Sequence, residues 1–183
     1  MHESAGYKPV ALPLSPAAVA GLRAGDAVLL SGTLYTARDA AHKRLFALLA
    51  KAGSGLPPEW PLPAPCAIYY AGPCPAAPGE IIGPCGPTTS ARMDPYAPAL
   101  ITAGANALIG KGPRSSEVLK ALRGRAVYFA VTGGAGMLIA KSIKKVEMVA
   151  FPELGTEAIR RFHVEAMPAI VAADSLGGDL YRR

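Results

Sequence analysis

Four short apolar runs set the terms on which this chain can fold. Ala27-Val28-Leu29-Leu30-Ser31-Gly32, Cys66 to Tyr70, Ala107-Leu108-Ile109 and Ala126 to Val131 read as strands, and the Gly25-Asp26 turn launches the first as a buried one. Helical patterns fall between them. Asp39 to Lys51 sets Leu45, Leu48, Leu49 and Ala52 at helical spacing, and Gly53 stops it. Thr88 to Met93 can start another helix, and Asp94-Pro95 offers a second N-cap with Pro at the first helical position. Ser115 caps a helix running to Leu122, and Gly133-Gly134-Ala135-Gly136 leads into one carrying Leu138, Ile139 and Ile143. Val146 to Ala150 and Ala169 to Ala173 add strands, and Gly177-Gly178 makes a final turn. Proline concentrates in Leu56 to Pro65 and Gly72 to Pro87, which read as extended loops because Pro removes the amide donors that a sheet needs. The alternation predicts an α/β fold with about four or five helices.

Length makes this a single domain over residues 1–183, large enough to bury a core without disulfide or metal staples. With 51% apolar and 17% charged residues, wholesale disorder is excluded. No run approaches the roughly 18 uncharged apolar residues of a membrane span, and Met1-His2-Glu3-Ser4 begins no secretory signal, so a cytoplasmic soluble domain is expected. The net charge of +6 sits in scattered doublets, Lys43-Arg44, Lys144-Lys145, Arg160-Arg161 and Arg182-Arg183. Nucleic-acid binders concentrate charge on one face and interleave aromatics, so no nucleic-acid partner is expected; attraction of small anions fits better.

The three cysteines, Cys66, Cys74 and Cys85, lack C-x-x-C or His-containing spacing, and read as buried or incidental thiols without a metal. His2, His42 and His163 offer no H-E-x-x-H spacing, and His163 alternates with Glu165 in a structural strand. The residues worth examining lie at strand ends beside glycines or helix starts. Arg38 precedes the Asp39 helix, where the macrodipole is positive, so it either clamps an anion or pairs with Asp39 on the surface. His42 lies four residues on, on the same face. In Gly86-Pro87-Thr88-Thr89-Ser90-Ala91-Arg92, a helix would bring Thr88 beside Arg92 as an anion site, or Thr88 is simply an N-cap. Ile109-Gly110-Lys111-Gly112 presents a lysine between glycines, sterically open to a ligand, without P-loop spacing. The Gly133–Gly136 run lacks the dinucleotide fingerprint and suits close packing.

These residues carry a resemblance. Leu30 to Arg44, Ile68 to Pro73, Gly83, Gly86 to Asp94, Ile109 to Gly112, Gly155 to Arg161 and Asp174-Ser175 are together similar to the C-terminal, or β, part of class I (iron–sulfur) fumarate hydratases. The similarity runs from about Val10 to Tyr181. It implies a swivelling β/β/α domain and an enzyme that interconverts fumarate and L-malate. It also implies that the 4Fe–4S cluster and the catalytic acid belong to a larger α part, so that this chain is a separate β subunit in an α2β2-type assembly and binds no cofactor alone. By motif position Arg38, Arg92 and Lys111 would bind the two carboxylates and Thr88, or its neighbour Thr89, would be the base, with Asp39 and His42 orienting Arg38. The chemistry suits a dianion, since cations at both ends neutralise and orient it, and help more as proton removal adds charge. Threonine needs help to act as a base, from Arg92 or backbone amides. The β subunit of the related L(+)-tartrate dehydratase, or a non-catalytic dicarboxylate-binding module, would use the same residues.

Overall fold

The computed structural model describes residues 6–182, so His2 and Arg183 named above lie outside the described residues. Seven strands alternate with helices: β1 (Lys8–Leu12), α1 (Pro16–Gly21), β2 (Ala27–Thr36), α2 (Asp39–Ala52), β3 (Cys66–Tyr69), α3 (Ala97–Thr102), β4 (Ala105–Gly110), α4 (Ser116–Leu122), β5 (Val127–Ala130), α5 (Gly136–Ser142), β6 (Ile143–Ala150) and β7 (Ile159–Ala173). The sheet order is β1-β2-β3-β4-β5-β7-β6, and a further β2–β7 pairing closes β2, β3, β4, β5 and β7 into a barrel. β1 to β5 pair in parallel, whereas β7 runs antiparallel to β2, β5 and β6. Closure needs a strand that can bend. β7 does so opposite Leu30–Gly32, where the register slips and Ala166 takes φ 50° with its amide bonded to the Ser31 hydroxyl at 2.9 Å.

The apolar runs are continuous because the parallel strands are covered on both faces. In β3 all four residues are buried, but they serve two different cores. Ala67 and Tyr69 join Leu30, Leu34, Ala107, Ile109, Val127, Phe129, Phe162 and Val164 in one cluster drawn from every barrel strand. Cys66 and Ile68 join Leu108 and Tyr128 in another, roofed by Leu45 of α2, Leu100 of α3 and Val118 of α4.

The structure corrects several sequence expectations. β1 and α1 are additional elements; α1 is capped by Ser15, whose hydroxyl accepts from the Ala18 amide at 3.2 Å. Ile143 begins β6 instead of continuing α5. Ala169 to Ala173 is only the end of the fifteen-residue β7, whose first half carries His163 and Glu165 as expected. Thr88 to Met93 is not an α-helix: a 3-10 turn covers Ser90–Met93 and leaves Thr88 and Thr89 outside it. Nor does Asp94 cap the next helix, which starts at Ala97; its carboxylate instead accepts Arg114 Nε and the Ser115 amide, each at 2.7 Å. No helix among the described residues is long and apolar enough to cross a membrane.

Candidate active site

The carboxyl ends of three parallel strands bring the polar segments together, the position at which open and wound α/β sheets most often present ligand sites. β2 ends at Thr36, and pairing continues for one more residue through Ala37 N to Tyr69 O at 3.0 Å before Arg38 turns into α2. Beyond β3, Tyr70 N donates to Ile109 O at 2.8 Å and Tyr70 O accepts from Thr88 N at 2.7 Å. Beyond β4, Thr89 and Lys111 form a parallel bridge, with Ser90 N donating to Lys111 O at 2.9 Å. Backbone pairing alone therefore sets Thr88, Thr89 and Lys111 side by side.

Arg92 is the hub of the side-chain geometry. Its Nε donates to Asp39 Oδ1 at 2.8 Å and its second terminal nitrogen to Asp39 Oδ2, while its remaining nitrogen donates to Thr88 Oγ1 at 3.3 Å. The hydrogen bond from Arg92 holds the Asp39 carboxyl below its ordinary range, and the same bond raises the Arg92 guanidinium. Because Thr88 Oγ1 accepts, its proton is free to point elsewhere. The guanidinium is placed to stabilise negative charge on that oxygen, and its pairing with Asp39 tempers the effect. Asp39 thus orients Arg92, and lies 3.9 Å from Arg38 Nε.

Arg38 is packed edge-on against the chain. A Cβ on Gly72 would come within 2.9 Å of its NH1 atom, so this glycine leaves room for the guanidinium. Its other terminal nitrogen lies 3.7 Å from Glu157 Oε1, and Glu157 Oε2 accepts from Ala40 N at 2.7 Å at the start of α2. Glu157 therefore answers both the Arg38 charge and the helix N-terminus. Among the described residues Arg38 Nε is buried with no hydrogen-bond partner, Asp39 being its nearest counter-charge at 3.9 Å. Arg38 and Lys111 are half-buried, Thr88 likewise, and Thr89 is exposed.

His42 does not reach the surface. It is fully buried, and its Nδ1 lies 3.0 Å from the Arg38 carbonyl, which also accepts the His42 amide at 2.8 Å. A carbonyl only accepts, so Nδ1 carries the proton. Desolvation pushes the imidazole down to about 4, so it is neutral at physiological pH. It fixes the backbone on which Arg38 stands and does not meet a ligand directly.

A buried layer supports the site from below, and sequence reasoning missed it. Arg114 spans Asp94 and Tyr70, whose OH accepts from it at 3.2 Å, and its guanidinium lies 5.2 Å and 5.0 Å from the Tyr70 and Tyr128 rings. Tyr128 OH donates to Gly112 O at 2.7 Å and lies 2.9 Å from Ser90 Oγ, pinning the Lys111 loop. A Cβ at Gly110 would overlap the Ser90 hydroxyl, so glycine is required there by packing rather than by openness to a ligand. Tyr70, Ser90, Asp94 and Glu157 lay in motifs already singled out, but Arg114 and Tyr128 did not.

The cysteines do not suit an iron–sulfur cluster. Cys66 is buried in the helix-side core, Cys85 in the barrel core and Cys74 is exposed, so the three thiols belong to different surroundings. Among the described residues no group of three or more His, Cys, Asp or Glu side chains is placed to hold a metal ion.

Comparison with known proteins follows the same lines. Fumarate hydratase 2 of Leishmania major is 39% identical over 163 residues, covering 87% of this chain but 28% of its own length. The anaerobic class I fumarate hydratase of Escherichia coli is 39% identical over 157 residues, again 28% of its length. This chain thus spans little more than a quarter of those relatives. A protein of Methanocaldococcus jannaschii, named as a candidate L(+)-tartrate dehydratase subunit beta, is 38% identical over 167 residues, with 87% of this chain and 84% of that protein aligned. The family described as Fumarase C-terminus matches residues 4–183, and the chain belongs to that family.

Proposed function

We propose that this chain is the β subunit of a heteromeric hydro-lyase that interconverts fumarate and L-malate. The observation that carries the reading is the Thr88–Arg92–Asp39 arrangement, with Arg38 and Lys111 at the same strand ends. In this reading Arg38, Arg92 and Lys111 bind the two carboxylates and fix the carbon skeleton. Thr88 first gives its hydroxyl proton to solvent, leaving an alkoxide that Arg92 stabilises, and that alkoxide takes the proton next to a carboxylate. Thr89, exposed and bridged to Lys111, has no such donor on its hydroxyl among the described residues, which favours Thr88.

The activity would belong to an assembly. In this reading the 4Fe–4S group and its Lewis-acid chemistry belong to a larger α subunit, in an α2β2-type complex in the cytoplasm. The swivelling character of the domain would let these residues close over a substrate held on that partner. A second reading has its own support: the named tartrate dehydratase subunit beta is aligned over 84% of its length. Turnover of malate, fumarate and L(+)-tartrate by this chain combined with the α-type chain of the same genome decides between them. Fumarate–malate interconversion is expected. Tartrate-only turnover supports the second reading, and dicarboxylate binding without any turnover would leave only a binding module.

A further inference from the structure

The seven residues of α5 bury Ile139 and Ser142 yet leave Met137 60% and Leu138 61% exposed. Ile81, on the proline-rich loop before Thr88, is 56% exposed as well. Ile81, Ile82, Met137 and Ala140 line a cleft of about 420 Å³, and its charged lining residues are Lys141, Lys144 and Glu80. Water-facing apolar side chains gathered at one cleft mark a surface that something else covers. This cleft is joined directly to the candidate active site. Gly136, the first residue of α5, accepts the Cys85 amide at 3.2 Å and packs on Gly86, two residues before Thr88.

We infer that the Ile81–Met137 cleft, with the exposed Leu138 next to it in the chain, is the seat of the larger α subunit, an inference that rests on the two-subunit reading above. Two observations choose this occupant. The fumarate hydratase relatives extend far beyond the portion that this chain matches, so most of such an enzyme lies outside this chain. Moreover, Thr88 and the half-exposed Arg92 stand at the surface, and a body that closes over them from the 84–88 loop side meets the cleft next. A second copy of this chain fits less well, because two bodies of net charge +6 would be brought together and each cleft carries two lysines against one glutamate. The partner surface is accordingly apolar at its centre, with acidic residues opposite Lys141 and Lys144.

The test is co-expression with the α-type chain of the same genome, reading association by size-exclusion and binding titration. The double variant M137D/L138D should weaken association at least a hundredfold and abolish turnover, while the melting temperature of the free chain stays near the wild-type value. I81D, on a different segment, should weaken association as well, and it decides the matter if the double variant fails to fold. Thr88→Ala should associate normally. Wild-type association by M137D/L138D and I81D overturns the inference, as does a wild-type chain that pairs only with itself through this face. A pair that forms, loses association on these substitutions and yet lacks hydro-lyase activity overturns the functional reading and leaves the interface standing.

Discussion

Two of the Arg–Asp pairs, Arg114–Asp94 and Arg92–Asp39, stand at the candidate site and differ in kind. Arg114–Asp94 lies beneath the site, with the arginine side chain 0% exposed, sandwiched by two tyrosine rings and bonded to Tyr70. Arg92–Asp39 lies on top, with the arginine side chain 48% exposed and its remaining nitrogen on a threonine hydroxyl. Burial makes the first pair costly to break, because either partner alone would be a desolvated charge. Exposure makes the second cheap to break, so its geometry is better explained by what it does to Thr88 than by what it adds to stability. The same two residue types serve as foundation in one place and as working surface in the other.

The largest expected effect breaks the buried member. Arg114→Ala should destabilise the free chain by about 3–5 kcal/mol, measured by denaturant titration, since Asp94 would lose its buried counter-charge. A loss under about 1 kcal/mol would erase the contrast. Next comes Arg92→Ala in the assembled enzyme, expected to lower kcat/KM by about a hundredfold or more with little change in melting temperature. Near-normal kinetics would remove Arg92 from the working surface.

His42 sharpens the same contrast through pH. Its imidazole is depressed to about 4 in the fold against an ordinary value of 6.5, so between these values the unfolded chain binds the extra proton and stability rises with pH. The contribution is complete above about pH 6.5 and falls away as pH drops toward 4, by up to about 3 kcal/mol. His42→Asn keeps a donor for the Arg38 carbonyl and does not titrate, so the stability–pH profile should flatten over that window. An unchanged profile would mean that another group sets it. The smallest effect is Asp39→Asn, which should shift stability by less than about 1 kcal/mol while lowering kcat/KM about tenfold as Arg92 loses its anchor. A stability loss that matches the activity loss would make Asp39 structural.

The elements that were legible in the sequence are those whose apolar signal is undiluted. β3, β4 and β5 are buried over most of their length and β2 over half of it, so they stand out as runs. β1 was missed because Lys8-Pro9 opens it and only Val10 and Leu12 face inward. β7 was shortened because Arg160, Arg161, His163 and Glu165 break up its first half and Pro168 interrupts its second. At the site, Thr88 and Arg92 are four residues apart and were paired on sequence, although a 3-10 turn rather than an α-helix joins them. Asp39 and Arg92 are 53 residues apart, and no spacing rule connects them; the adjacent carboxyl ends of β2, β3 and β4 do. Arg114 and Tyr128 left no signal at all, since a buried arginine and a strand tyrosine look ordinary until their partners are known.

The central claim is that Thr88, activated by Arg92, is where this chain takes part in chemistry. The direct measurement is single-turnover conversion of malate by the assembled complex carrying Thr88→Ala, with assembly checked by size-exclusion. The account predicts intact assembly, malate binding within a few-fold of wild type, and a chemical step slowed by at least about a hundredfold. An unimpaired chemical step in a properly assembled Thr88→Ala complex would contradict it.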